Sequence, residues 1–493
     1  MGVDATAKSR TVGVSVNNQD FNAGAAGYLP QQIAIIGQGN TALQGTYANT
    51  PVQILSAKTA AETFGYGSPI HLAVKQLLPI SGSRVGSIPI TVYPMDDDGS
   101  AVTAAGSIAV TGTTATAAGQ FKVKINNIET PVISVASGAA VAAIAAQIEA
   151  AIDSVLDMPV ITGTITTSTL PLTAKWGGES GNGVYIEIEG TVSGIGFTIT
   201  QLTSGANNPD VDDMLVLVGN RWETLVINCL NYTDTATLTK YETWGNARWE
   251  PTVNRPVLVF TGATDVYTTV ATATDARKDE FINTIIAAPG SRHFGFEIAA
   301  RAIAIIAPIA NNNPAQNYYG NLTGLIAGTD GEQFLYASLD ATVKDGCSTT
   351  LIDGTTIKLN DTVTTYHPDG ETVPGYAYVC DCIKLMNIVY NLRNIFEADR
   401  YKGAPLLPDA DFTVNPTAVQ PKTFRTILRN LSDTLTALAI TADAEFTKEN
   451  LTVVINSTNP KRVDVVFPVK LSGNTEIISV DLNFGFFFGS LVA

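Results

Sequence analysis

The sequence predicts a multidomain protein of mixed class: an α/β body, a β-rich insertion within it, and a closing α+β segment. Three observations predict this. Short aliphatic strands alternate with helices on both sides of residues 96–206, the pattern of a mainly parallel sheet. Between those limits charge becomes sparse and Thr, Ala, Gly and Ser dominate. At 493 residues the chain is also too long for one core, so about two to four domains are expected.

In chain order, Ile33 to Ile36 reads as a short buried strand and Val52 to Leu55 as another. Ser56 opens a helix through Phe64, a second helix covers Ile70 to Leu78, and a strand follows from Ile88 to Tyr93. The insertion offers strands at Phe121 to Ile125, Pro131 to Val135, Val184 to Glu189 and Gly196 to Thr200, and an amphipathic helix from Ala139 to Ile152. The α/β pattern resumes with a strand at Thr224 to Asn228, a helix at Asp234 to Trp249 and a strand at Pro256 to Phe260. Thr349 to Ile352 and Thr355 to Leu359 flank Asp353-Gly354, which predicts a hairpin with a type I′ turn. Asp381 to Ala398 and Pro421 to Thr436 are helical, the second with proline at its first position, where the missing N–H costs nothing. Three strands, Leu451 to Asn456, Val463 to Val469 and Ile477 to Phe488, read as a closing antiparallel meander.

Composition narrows the function. The net charge of −16 argues against a general nucleic-acid binder, which needs a basic face. Four cysteines in so long a chain make no disulfide framework; Cys380 and Cys382 form a C-x-C pair without a second pair at zinc spacing. Met1 to Arg10 lacks the apolar core of a signal peptide, so synthesis and assembly in a cytoplasm are expected. The most aliphatic helix, around Ala299 to Ala310, contains Arg301 and Pro308 and is too short to span a bilayer.

Candidate chemistry is sparse. Gly37-Gln38-Gly39-Asn40-Thr41-Ala42 fits the G-x-G-x-x-A dinucleotide fingerprint and follows a strand, but the next stretch reads as a loop and Glu62 falls in a helix. His71, His293 and His367 are isolated, and Asp96-Asp97-Asp98-Gly99 lacks calcium-loop spacing and reads as a solvated turn. No catalytic residue, metal site or cofactor is expected.

Two surface features remain. Lys422, Arg425 and Arg429 stand at i, i+3 and i+7 on the helix opened by Pro421, a basic stripe in an acidic protein. Near the termini, Val12, Val14 and Val16 alternate with small or polar residues, as do Ile478, Val480, Leu482, Phe484 and Phe486. A period of two puts each apolar set on one face of a strand. Such strands either close an internal sheet or pair with another copy of the chain.

The stretch from Gln32 to Gly82 resembles the N-terminal signature of contractile phage tail sheath proteins. The matching elements are the strand ending in Ile35-Ile36-Gly37, then Asn49-Thr50-Pro51-Val52, then Ile54-Leu55-Ser56 and a helix closing on Phe64-Gly65-Tyr66-Gly67-Ser68. The segment from about Asn415 to Phe486, a helix and a β-meander, resembles the end that family members share, and the length and insertion look most like Mu-like phage sheaths. The resemblance implies an inner α/β domain formed by both chain ends, an outward β-rich insertion and extended terminal arms. It divides the chain into an N-terminal arm (1–22), first core part (23–95), insertion (96–206), middle α/β domain (207–410), inner domain (411–476) and C-terminal strand and arm (477–493).

It further implies a non-enzymatic subunit of sixfold rings stacked helically around a tail tube, with baseplate and tail terminator proteins as further partners. Nucleic-acid binding and membrane insertion are not expected. Such a protein is assembled in the host bacterial cytoplasm and resides in the virion tail. Val12, Val14 and Val16 and the Ile478–Phe486 set become subunit-linking arms, and Lys422, Arg425 and Arg429 the tube-facing stripe. Two other readings compete: a nucleotide-binding α/β enzyme using Gly37–Ala42, and an exported surface-layer or adhesin protein.

Overall fold

The computed structural model describes residues 27–484, apart from 81, 83, 329–330 and 371–374. Val12, Val14, Val16 and Phe486 lie outside the described residues. Consecutive aliphatics make strand Ile33–Gln38 (β1) buried on both faces. Ile33 and Ile35 enter the core under one helical layer, and Ala34 and Ile36 enter the core under the other. Strand Val52–Gln53 (β2), helices Ala57–Phe64 (α1) and Pro69–Leu77 (α2), and strand Ile90–Met95 (β3) follow. Ser56 Oγ accepts the Thr59 N–H and Ser68 Oγ the His71 N–H, so a serine caps each helix.

Residues 103–203 then form two antiparallel four-stranded sheets. Their strands are Thr103–Gly112 (β4), Gly119–Ile125 (β5), Ile128–Glu129 (β6), Ile133–Val135 (β7), Val160–Thr162 (β8), Thr169–Gly177 (β9), Ile186–Thr191 (β10) and Ile195–Thr203 (β11). One sheet runs β10-β5-β6 with β7 also on β5, and the other β11-β4-β9-β8. Helix Val141–Asp153 (α3) buries Ile144, Ile148 and Ile152, four residues apart. At the root, Val102 and Ala206 exchange both backbone hydrogen bonds, at 2.9 and 3.1 Å.

After the insertion come Asp212–Val218 (α4), Leu225–Asn228 (β12), Thr235–Trp249 (α5), Leu258–Ala263 (β13), Tyr267–Asp275 (α6) and Asn283–Ala287 (β14). Gly295–Asn312 (α7), Gly320–Ile326 (β15), Tyr336–Lys344 (α8), Ser348–Asp353 (β16), Thr356–Asp361 (β17) and Val379–Phe396 (α9) complete the body. The nine-stranded sheet has the order β15-β17-β16-β14-β13-β12-β1-β3-β2. Its six central strands, β3 to β16, are parallel, and the edge strands are antiparallel. The β16–β17 turn differs from the expected Asp-Gly form: the loop is Gly354-Thr355, with φ of 64° at Gly354 and no positive φ at Asp353. Glycine leads the loop, the arrangement that suits a type II′ turn.

The closing segment contains Pro421–Ala437 (α10), Thr441–Ala442 (β18), Ala444–Asn450 (α11), Thr452–Ile455 (β19), Val463–Val466 (β20) and Lys470–Leu471 (β21). Phe424, Leu428, Leu431 and Leu435 of α10 share a core with Ile388 and Ile395 of α9 and with Val453, and Tyr28 packs against it. The expected three-stranded meander is replaced by two separate pairs, β19 with β20 and β18 with β21. Residues 477–484 form no strand. Their alternation supplies an apolar face, but no edge of the described chain hydrogen-bonds to them as a ladder.

Candidate assembly surfaces

The C-terminal segment leaves the body at a fixed root. Lys384 Nζ donates to the Ser472 carbonyl at 2.6 Å and to Asn474 Oδ1 at 2.6 Å, and Asn474 Nδ2 donates to the Ala315 carbonyl at 2.9 Å. Asn317 Nδ2 reaches both Glu476 carboxylate oxygens, at 2.9 and 2.8 Å. Beyond that point Ile478, Val480, Leu482 and Phe484 are 78%, 78%, 82% and 81% exposed. Isolated apolar residues on a surface are ordinary, whereas an alternating run this exposed is a candidate interaction segment.

The basic stripe on α10 is less uniform than its spacing implies. Lys422 and Arg429 are exposed. Arg425 is half-buried, and its guanidinium donates to Asp409 Oδ2 and to the Val453 carbonyl, both at 3.3 Å. Asp409 Oδ1 accepts the Lys422 backbone N–H at 2.7 Å, so the loop before α10 folds back onto the helix start. Arg425 therefore joins that loop to β19, a tie spanning residues too distant in sequence for helical spacing to show.

The Gly37–Ala42 segment is packed closely against its neighbours and lacks the helix of a dinucleotide fingerprint. A Cβ on Gly39 would stand 2.3 Å from Tyr47 Oη, and a Cβ on Gly37 2.7 Å from Cys229 Sγ. The Asn40 N–H is taken by the Phe64 carbonyl at 2.7 Å, and a three-residue 3₁₀ turn, Thr41–Leu43, stands where the fingerprint requires a helix. The Asp96–Asp98 turn is less solvated than expected. Asp97 accepts from Gln38 Nε2 at 2.5 Å and from Thr41 Oγ1 at 2.6 Å, and Asp96 from Asn49 Nδ2 at 2.8 Å.

At the carboxyl ends of β12 and β13, where an open α/β sheet binds ligands, the crevice holds about 60 Å³. A drug-sized ligand needs roughly 300–1,000 Å³. A larger groove of about 670 Å³ lies between α1 and the insertion, lined by Leu43, Tyr66, Leu156 and Ile161. Its cation, Lys175, is committed to the Tyr66 and Leu156 carbonyls, both at 3.0 Å.

The histidines are placed as structural groups. His71 Nδ1 accepts the Gly67 N–H at 3.0 Å, and burial lowers its pKa to about 4. His293 Nε2 accepts the Ile326 N–H at 3.0 Å, and the His367 ring lies 3.2 Å from Asp275. All four cysteines are buried and free, and burial raises the Cys347 and Cys380 thiols to about 12. Among the described residues there is no group of His, Cys, Asp or Glu able to hold a metal ion, and no helix long and apolar enough to cross a membrane.

No protein-family model matches the sequence. One curated relative, the Mu-like prophage FluMu tail sheath protein of Haemophilus influenzae, is 26% identical over 431 residues, covering 85% of this chain and 86% of the relative. The chain resembles tail sheath proteins. Among solved structures, the sheath tail protein of Desulfitobacterium hafniense gives a TM-score of 0.43 at 11% identity, covering 91% of this chain and 93% of that one. The sheath of an extracellular contractile injection system in its contracted state gives 0.48 at 8% identity, with 97% and 98% covered. The contracted helical sheath of the anti-feeding prophage gives 0.47 at 9% identity, with 97% and 99% covered.

The sequence reading did not single out a row of polar side chains on the buried face of α9: Lys384, Asn387 and Asn391. Its visible signal is Lys384, Asn387 and Asn391 at i, i+3 and i+7, in a helix that also carries Asp381, Arg393 and Asn394.

Proposed function

We propose that this protein is the structural subunit of a contractile tail sheath. It polymerises as stacked hexameric rings around a tail tube and contracts by rigid-body rearrangement of subunits, without consuming nucleotide. The observation that carries this reading is the tail sheath relative aligned along 85% of the chain. The exposed alternating run Ile478, Val480, Leu482 and Phe484 supports it, because such a run fits strand addition to another copy. On this reading Phe486 continues the C-terminal arm, and Val12, Val14 and Val16 form the N-terminal one.

Magnitudes locate the energy of the arms. Backbone hydrogen bonds contribute roughly 0.5–1.5 kcal/mol net each, and ordering a residue costs about 1–2 kcal/mol. Pairing alone therefore breaks even at best. Burial of large side chains, at roughly 1.5–3 kcal/mol each, decides the outcome, so Leu482, Phe484 and Phe486 carry the tether. The Lys422, Arg425 and Arg429 face meets an acidic tube surface, with Lys422 and Arg429 its outward members. The tail tube, baseplate and tail terminator proteins are the partners, assembly takes place in the host cytoplasm, and the mature location is the virion tail.

Electron microscopy of the full chain beside a truncation after Glu476 tests the proposal. Rings or hollow tubes from the full chain, with a folded but unassembled truncation, are expected. A monodisperse monomer from both would overturn it.

A further inference from the structure

We infer that the buried polar row Lys384, Asn387 and Asn391 makes α9 a common mount for both ends of the chain. Positions i, i+3 and i+7 share one helix face. On that face Asn391 Oδ1 accepts the Gly27 N–H at 2.9 Å while its Nδ2 donates to the Gly27 carbonyl at 2.9 Å. Asn387 Oδ1 accepts the Leu29 N–H at 2.8 Å. Each amide also donates to the carbonyl one turn earlier, Asn387 to Ile383 at 2.9 Å and Asn391 to Asn387 at 2.8 Å, which fixes its orientation.

The spacing explains the fit. Four residues of α-helix advance about 6 Å, and two residues of extended chain about 6.6 Å. Alternate N–H groups of an extended segment therefore meet successive asparagines, and the helix takes the place of a neighbouring strand. It recognises main chain, so the grip runs along the segment in register.

Lys384 holds the other end. Its side chain is 0% exposed, and its three protons go to Asp381 Oδ1 at 3.0 Å, the Ser472 carbonyl at 2.6 Å and Asn474 Oδ1 at 2.6 Å. Burying an ammonium is costly even when it is paired, and an apolar side chain would fill the space. What the ammonium supplies is a fixed position for residues 472–474, just before the Asn317–Glu476 contact and the exposed run. The helix itself is seated in two cores, through Ile383 and Met386 on the body side and Ile388 and Ile395 on the closing segment. A pull on either terminal segment is delivered to the same element and passes into both cores. That mechanical consequence rests on the sheath reading; the mount does not.

Hydrogen exchange on the full unassembled chain tests the mount, with electron microscopy of the same variants testing its consequence. In Asn474→Ala, which changes the segment and leaves the helix intact, exchange across residues 470–476 rises about tenfold or more, as loss of a charged hydrogen bond predicts. Residues 27–31 are unaffected in that variant. Asn391→Ala does the reverse, and the α9 amides stay protected in both. Lys384→Met repeats the first pattern if it folds; if it does not, Asn474→Ala decides. Unchanged exchange at 470–476 in Asn474→Ala overturns the mount whatever the chain assembles into. The expected exchange pattern from a wild-type chain that forms no tubes upholds the mount and sinks the sheath reading instead.

Discussion

His71 gives the folded state a pH dependence whose sign follows from its hydrogen bond. Nδ1 accepts the Gly67 N–H, so the folded ring is neutral with its proton on Nε2, and the pKa falls to about 4 from an unfolded value of about 6.5. Between these values the unfolded chain binds a proton that the folded chain does not. Stability is therefore fully present above about pH 6.5 and falls through the window down to about 4, by on the order of 3 kcal/mol for this 4%-exposed group. Thermal unfolding at pH 7.5 and pH 4.5 should show a smaller acid loss in His71→Gln than in the wild type; an equal loss would assign the effect to other groups. The α10 stripe separates in the same manner. On the proposed sheath reading, Arg429→Glu should weaken tube binding at low salt, and it should leave the melting temperature unchanged. Arg425→Glu should lower the melting temperature, because it sets a carboxylate against Asp409 and the Val453 carbonyl. Equal melting temperatures for the two variants would contradict the internal tie.

Elements with a local punctuating residue were legible in the sequence. Ser56, Asp234 and Pro421 begin their helices because the cap or ring chemistry is written within a few residues. Strands β4 and β9 were not, since their Thr-, Ala- and Gly-rich sequences become strands by pairing with distant partners. The C-terminal alternation specified a face and left the partner open. In the candidate site, spacing revealed the basic stripe and the Gly37–Ala42 loop. It could not reveal Asp409 beneath one or Tyr47 filling the other. A close approach between elements was equally hidden: a Cβ on Gly262 would lie 2.1 Å from the Gly295 carbonyl oxygen, where the first turn of α7 crosses the end of β13. Gly262→Ala must push helix from strand, and a loss of roughly 1–3 kcal/mol in chemical denaturation is expected. An unchanged midpoint would mean that the helix end yields freely.

For the whole molecule, a net charge of −16 means that every copy repels every other at long range. On the proposed sheath reading, arm contacts built on Leu482, Phe484 and Phe486 are apolar and indifferent to screening. Raising NaCl from about 20 to about 300 mM, which shortens the Debye length to a few ångströms, should therefore lower the protein concentration at which tubes form. Light scattering reads this directly, and tubes that dissolve with added salt would show that ion pairs hold the copies together. At this scale the sequence conveyed the succession of α/β body, β-rich stretch and closing segment. It left unseen how α9 joins the body to the closing segment, because that helix earns its place through contacts hundreds of residues apart.

The pairing of Val102 with Ala206 makes the body a natural host for grafting. The two backbones already face each other as a hydrogen-bonded antiparallel pair, so a two-residue hairpin turn could bridge them without shifting the register of β3 or β12. Any foreign module whose ends lie about 5.5 Å apart could be spliced in at the same point. The obstacle is the seat that the native insert covers. Trp176 lies edge-on to Phe294 and Phe296, at ring-centroid distances of 5.6 and 6.5 Å, and both phenylalanines would face water once it is gone. A display scaffold made from this chain thus needs two changes together, a short turn at the splice and polar residues at positions 294 and 296.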